Sequence, residues 1–168
     1  MQTVYIETTV VSFLVARTQA GTLAYQWHVW TRDWWRLRRP YFESVTSPEV
    51  LREAASGDAE MSRLRLEALS SLTLLRRTPA VDTLAAVFIA SGALPQKAKA
   101  DAVHLAFAAV YKVNYLLTWN FKHLANAVIQ ARLQPVAEQE GYRLPIVCTP
   151  LQLMGTIEYE SRLDTPGD

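Results

Sequence analysis

Glu7, Glu53, Asp101 and Asn120 are the residues of this chain whose types and positions best fit a site of chemistry. Three carboxylates and one neutral amide oxygen, drawn from four separate segments, can reach a common rim if the strands between them run parallel. Carboxylates held that close repel one another, so they require a shared proton or a cation. A hard divalent ion, magnesium or manganese, meets that requirement because it prefers carboxylate and carbonyl oxygen and keeps waters of its own. Such an ion can align a water and absorb the charge that develops on a phosphodiester during hydrolysis. Plain acid–base hydrolysis uses the same residue types and stays open, although one acid and one base leave the remaining carboxylates without a task. No C-x-x-C pair provides a thiolate zinc site, and no Gly-rich loop carries a P-loop lysine.

The segments that must position these groups alternate between strand and helix patterns. Thr3 to Ile6 is a β-branched and aromatic strand with Glu7 directly after it, where open parallel sheets collect ligand groups. Val10 to Val15 fits a short helix or an extended run. Thr22 to Arg39 is helical, with Leu23, Trp27, Trp30, Trp34 and Leu37 on one face, a stripe for the core or for a protein partner. Tyr41 to Thr46 is a second strand, and Ser47 with Pro48 starts a helix that carries Glu53 and ends at Gly57 and Asp58. A helix over Ala59 to Ser70, a strand over Leu72 to Leu75 and a helix over Pro79 to Ala90 follow. Lys97 to Lys112 holds a nearly all-apolar helix broken only by Asp101 and His104. Asp101 is placed to cap that helix or meet its dipole, and a lone histidine one turn later is more often a hydrogen-bonded core residue than a ligand. Tyr115 to Thr118 is a strand, Phe121 to Leu133 a helix, Glu138 to Leu144 a polar connection, Pro145 to Cys148 a last strand, and Pro150 to Met154 one more helical turn. Short, uniformly apolar strands alternating with helices predict a mostly parallel sheet covered on both faces, a three-layer α/β/α fold.

The 168 residues predict one domain over 1–154, followed by a tail over 155–168, frayed or packed on a partner. Cys148 is the one cysteine, so no internal disulfide forms, and no run nears the roughly 18 apolar residues of a membrane span. With no leader pattern at the amino terminus, a soluble cytoplasmic protein is expected. The net charge of +1 does not itself point to nucleic acid. Clustered arginines at Arg36, Arg38 and Arg39, with Lys97 and Lys99, offer forks and charges for phosphate, or ordinary solvated surface.

Four stretches carry a resemblance. VYIETTVVSFL at Val4 to Leu14, SPEVLREAASGD at Ser47 to Asp58 and ADAVHLAFAAVYKVNYLLTWNFKHLAN at Ala100 to Asn126, with IVCTPLQLM at Ile146 to Met154, resemble the PIN-domain family. That family comprises metal-dependent ribonucleases best known as VapC-type toxins of toxin–antitoxin pairs, and the resemblance spans Val4 to Leu153.

The resemblance implies an acidic pocket for magnesium or manganese, with the first, second and third acids at Glu7, Glu53 and Asp101 and the fourth position at Asn120. Thr118 falls where the family often places an orienting hydroxyl, and Thr8, His104, Lys122 and His123 are candidates to orient site or substrate. Active toxins usually have aspartate at the first position and an acid at the fourth. Glu7 moves its carboxylate by about 1.5 Å, while Asn120 keeps an oxygen and gives up a charge. The function implied is hydrolysis of RNA by a toxin-like endoribonuclease. Arg36, Arg38, Arg39, Lys97 and Lys99 would hold the RNA backbone. Trp27, Trp30 and Trp34 would face a second copy in a homodimer or a small antitoxin. A noncatalytic RNA-binding or protein-interaction module with the same fold is the alternative.

Overall fold

The computed structural model describes residues 1–155 of the chain, so the expected tail lies outside the described residues except for Gly155. In chain order the elements are β1 (Gln2–Ile6), α1 (Thr8–Leu14), α2 (Leu23–Leu37), β2 (Phe42–Thr46), α3 (Pro48–Ala54), α4 (Ala59–Leu69), β3 (Thr73–Leu74), α5 (Pro79–Ala90), α6 (Lys99–Val110), β4 (Tyr115–Leu117), α7 (Ala127–Gln139) and β5 (Ile146–Cys148). A short 3-10 turn at Arg39–Tyr41 leads into β2. The strands form one sheet in the order β3-β2-β1-β4-β5, and each pairing is parallel.

Helices cover both faces of the sheet, giving the expected three layers. Consecutive strand residues point to opposite faces, so the complete burial of Val4, Tyr5 and Ile6 in a row requires cover on both sides of β1. α1 packs against α2, α3 and α4, whereas α5 packs against α6 and α7. Burial of every residue from Ala102 to Ala109 encloses α6 almost all round, and alanine there lets its neighbours approach closely.

Local chemistry sets most helix starts. Thr22, Ser47, Asp58 and Asn126 each cap a helix by accepting from backbone N–H groups two or three residues on, and Pro48 occupies the first turn after Ser47. Glu7 is the cap of α1, its carboxylate accepting from the Thr9 N–H, which makes Val10 to Leu14 helical rather than extended. Asp58 starts α4 instead of ending α3.

The largest departure from expectation follows β4. Residues 121–125 form hydrogen-bonded turns, and the helix begins only after the Asn126 cap. It then runs through Pro135 to Gln139, taking in the start of the expected polar connection. Pro135 forfeits one helical hydrogen bond, but the burial of Leu133 and Ala137 on either side carries the helix through. Thr149 to Met154 closes as one helical turn, the Leu153 N–H donating to the Thr149 carbonyl, followed by a tighter turn at Met154.

The tryptophan stripe of α2 is used inside the chain. Trp34 is fully buried and stacks with Phe42, while Trp27 and Trp30, both half-buried, stack on Trp119 at ring separations of 5.3 and 6.2 Å. Leu23, at the other end of the expected stripe, is 63% exposed. Replacing Trp34 with alanine removes the largest fully buried side chain, and a destabilisation of about 3–5 kcal/mol is expected from the midpoint of urea denaturation.

Candidate metal centre

Strand register brings the site together. Ile6 pairs with Leu117 and Leu117 with Cys148, so Glu7 and Thr118 emerge side by side at the carboxyl rim of the two central strands. The Glu7 N–H donates to the Leu117 carbonyl at 3.2 Å, and the Thr118 hydroxyl donates to Glu7 Oε2 at 2.7 Å. The Thr9 hydroxyl donates to the same carboxylate oxygen and also accepts from the Trp119 N–H at 2.8 Å. Glu7 is thus held in a nearly dry site, 4% exposed. Burial pushes its carboxyl above the ordinary glutamate range; the His104 charge and the hydrogen bonds from Thr9 and Thr118 pull the other way.

α3 and α6 supply the other walls. Glu53 is the penultimate residue of α3 and accepts from the Thr8 hydroxyl and from His104 Nε2, the latter at 3.1 Å. Burial raises Glu53, but the hydrogen bond and charge of His104, with Thr8 and Arg52, outweigh it and hold the carboxyl below its usual range. His104 is fully buried, which by itself favours the neutral ring; its hydrogen bond to Glu53 and the charges of Glu7, Glu53 and Asp101 win, and its pKa is raised. The two shifts agree: in the absence of a cation, His104 and Glu53 form an ion pair. Nδ1 of His104 lies 2.8 Å from the Tyr5 hydroxyl, which is 2.6 Å from Ser47 Oγ, so the far side of the ring is fixed by β1 and by the cap of α3.

Glu7, Glu53 and His104 each bring one ligating atom within 4.8 Å of the others. Divalent cations bind oxygen at about 2.0–2.6 Å, so opposed ligands stand about 4–5 Å apart and this spacing admits an ion. The donor set fits as well. Thr9 and Thr118 take up Oε2 of Glu7, and no described residue donates to its Oε1. With Nδ1–H directed to Tyr5, the ring presents Nε2 as an unprotonated ligand. Two carboxylates and one imidazole form a mixed oxygen and nitrogen set that could hold a divalent metal.

Asp101 lies outside this group of three. It is the third residue of α6, not its cap, which is Ala98. Oδ1 accepts from Asn120 Nδ2 at 3.1 Å, and Oδ2 pairs with His123 Nδ1 at 2.7 Å. Asn120 is fixed in turn by its own N–H to Thr118 Oγ1 and by the His123 N–H to its Oδ1. The four expected positions therefore divide into neighbouring halves, Glu7 and Glu53 with His104, and Asp101 and Asn120 with His123. Lys122 is exposed in the same turn, its carbonyl accepting from Asn126. Lys97 and Lys99 are exposed at the start of α6, on the rim that carries Asp101.

Arg36, Arg38 and Arg39 lie at the other end of the sheet. They close α2 and feed β2, whose first residue Phe42 pairs with Gln2, so they border the amino rim. Arg38 lies over Tyr41 and Arg39 over Trp35 at 4.6 Å, and Arg39 donates to Ser71 Oγ. Sequence reasoning left Tyr5 and Thr9 out of the site and knew Ser47 only as a helix cap. A tyrosine two residues before the first acid, on the face that meets α6, is the signal that could have found Tyr5.

Compared with protein-family models, with curated proteins and with solved structures, the chain matches none. The three-layer parallel fold and the Glu–Glu–His group at its carboxyl rim are what define its class.

The raised pKa of His104 carries a stability signature in metal-free protein. Its stabilising contribution is fully present below the unfolded value of about 6.5 and is lost as pH rises through the higher folded value. Denaturant unfolding in chelator from about pH 6 to 9 is expected to show stability falling over that window, and His104→Gln to flatten the slope.

Proposed function

We propose that this chain is a divalent-metal-dependent hydrolase of phosphodiester bonds with RNA as its substrate, a PIN-like endoribonuclease. The observation that carries this reading is the convergence of Glu7, Glu53 and His104 within 4.8 Å at the carboxyl rim of a parallel sheet. Magnesium or manganese is the expected ion, and an imidazole ligand favours manganese of the two. When bound, the ion supplies Lewis-acid polarisation and a water of lowered pKa. The residues of the chain do the rest. Thr9 and Thr118 hold the Glu7 carboxylate, Tyr5 orients His104, and Thr8 steadies Glu53. Lys97, Lys99 and Lys122, exposed on this rim, are the cations best placed for the RNA backbone, whereas Arg36, Arg38 and Arg39 border the opposite one.

RNA as substrate, toxin action within a toxin–antitoxin pair, a homodimer, a small antitoxin partner and a cytoplasmic location belong to this proposal through the sequence resemblance. Trp27, Trp30 and Trp34 have intramolecular partners, which leaves a protein interface on α2 to its exposed flank, Leu23 included. One observation favours the noncatalytic alternative: the His104–Glu53 pair and the threonine hydroxyls satisfy much of the site without an ion.

Cleavage of a structured RNA in manganese separates the two readings. Wild type is expected to cut, chelator to stop it, and Glu53→Gln to lower the rate by about 10²-fold or more. Salt-sensitive RNA retention with no metal-dependent cleavage would establish the binding module instead. Thr118→Val, which frees the Glu7 carboxylate on one side, is expected to weaken manganese affinity about 10–100-fold in calorimetry.

A further inference from the structure

The turn that follows β4 leaves one large aromatic ring in water beside the metal centre. Phe13, Trp27, Trp30, Trp119 and Phe121 form a cluster with ring separations from 5.2 to 6.3 Å. Trp119 at its middle is buried, and Phe13, Trp27 and Trp30 are half-buried. Phe121 is the exposed member, with 49% of its surface in water. Its ring meets Trp27 at 5.6 Å and Trp119 at 6.1 Å, both at a tilt, so one side of it is fixed. The backbone beneath is pinned as well. The Phe121 N–H donates to the Trp119 carbonyl, while Asn120 accepts from the Ala125 N–H through its carbonyl and from the His123 N–H through Oδ1. A half-open aromatic on a pinned turn is a preorganised binding surface.

The surroundings of Phe121 point to what it takes. It follows directly on Asn120, which bonds to Asp101, and Thr118 just before them donates to Glu7. Lys122 is exposed next to it, and Lys97 and Lys99 are exposed on the same rim. An apolar ring edged by ammonium groups complements a flat base joined to a phosphate, and stacking on an aromatic ring accepts any base because each has a π-face. Lysine is depleted from protein interfaces, so this edge favours RNA over a protein as the occupant.

Resting on the hydrolase reading above, we propose that Phe121 is a stacking platform for an unpaired RNA base close to the scissile phosphate, with Lys122 on the adjoining backbone. A base inside a duplex has both faces covered by its neighbours and offers none to the ring. The platform therefore holds a single-stranded stretch at the metal centre and leaves a duplex unheld.

The test measures binding at low salt in chelator with a short oligouridine, a ribose-phosphate chain of the same length without bases, and an RNA duplex. Phe121→Leu keeps an apolar side chain against Trp27 and Trp119 but has no π-face, and Phe121→Trp restores one. Leucine is expected to weaken oligouridine binding about tenfold and to leave the baseless chain and the duplex within about twofold of wild type. Tryptophan is expected to match wild type on all three. In manganese the same loss should appear as a raised KM for oligouridine cleavage, with kcat affected less. Equal losses on oligouridine and the baseless chain, or no loss in either binding or KM, would overturn the platform and leave the hydrolase standing. In the second case, a lower molar mass of Phe121→Leu by light scattering would assign the ring to a protein interface instead. Oligouridine binding that shows the leucine loss but no cleavage in manganese would sustain the platform and overturn the hydrolase. Wild type that neither binds nor cuts RNA would overturn both.

Discussion

Everything at the carboxyl rim follows from burying the Glu7 carboxylate at the end of the central strand. Removing a carboxylate from water is costly unless its oxygens are hydrogen-bonded and a positive charge stands nearby. β1 and β4 run side by side in parallel, so the residue after Ile6 meets the residue after Leu117, and Thr118 is there to donate. α1 begins at Glu7 itself, which brings the Thr9 N–H and hydroxyl onto the same oxygen. The counter-charge comes from His104, fully buried on α6 and gripped from behind by Tyr5 and Ser47. A cation can take the place of the His104 proton, because both neutralise the same pair of glutamates.

The same constraint explains why the site is built from helix ends as well as strand ends. Ser47 caps α3 and also shares a hydrogen bond with the Tyr5 hydroxyl, so the register of α3, and with it the reach of Glu53, is tied to β1. α6 contributes Asp101 and His104 one turn apart, the first turned toward the Trp119–Asn126 segment and the second toward the glutamates. Because α6 is enclosed almost all round by apolar side chains, neither residue can shift without disturbing the core.

Much of this was legible in the chain. Short apolar strands alternating with helices gave the layered parallel sheet, and Ser47–Pro48 marked a helix start because cap chemistry is local. Glu7 and Glu53 meet His104 at the carboxyl rim, and Asp101 and Asn120 hydrogen-bond to each other beside them. What the chain concealed was which side chain faces which. A histidine on an apolar helix looks like core whether or not it meets two glutamates, because its partners arrive from strands and helices far away in sequence. Asn126 as the cap of α7 was hidden by the helical composition of residues 121–125, and the helix runs past the expected end at Leu133, through Pro135, to Gln139. Arginine clustering said nothing about rim; only the path of α2 back to the start of β2 places Arg36, Arg38 and Arg39 away from the acids.

The indole of Trp119 lies in near-parallel contact with those of Trp27 and Trp30, and donates through Nε1 to the Thr31 hydroxyl. Its backbone N–H meanwhile holds Thr9, which holds Glu7. An intrinsic fluorophore is therefore wired one hydroxyl away from the buried carboxylate. A change in the hydrogen bonding of the Glu7 carboxylate thus has a route of one hydroxyl to the emission of Trp119 in the unlabelled protein.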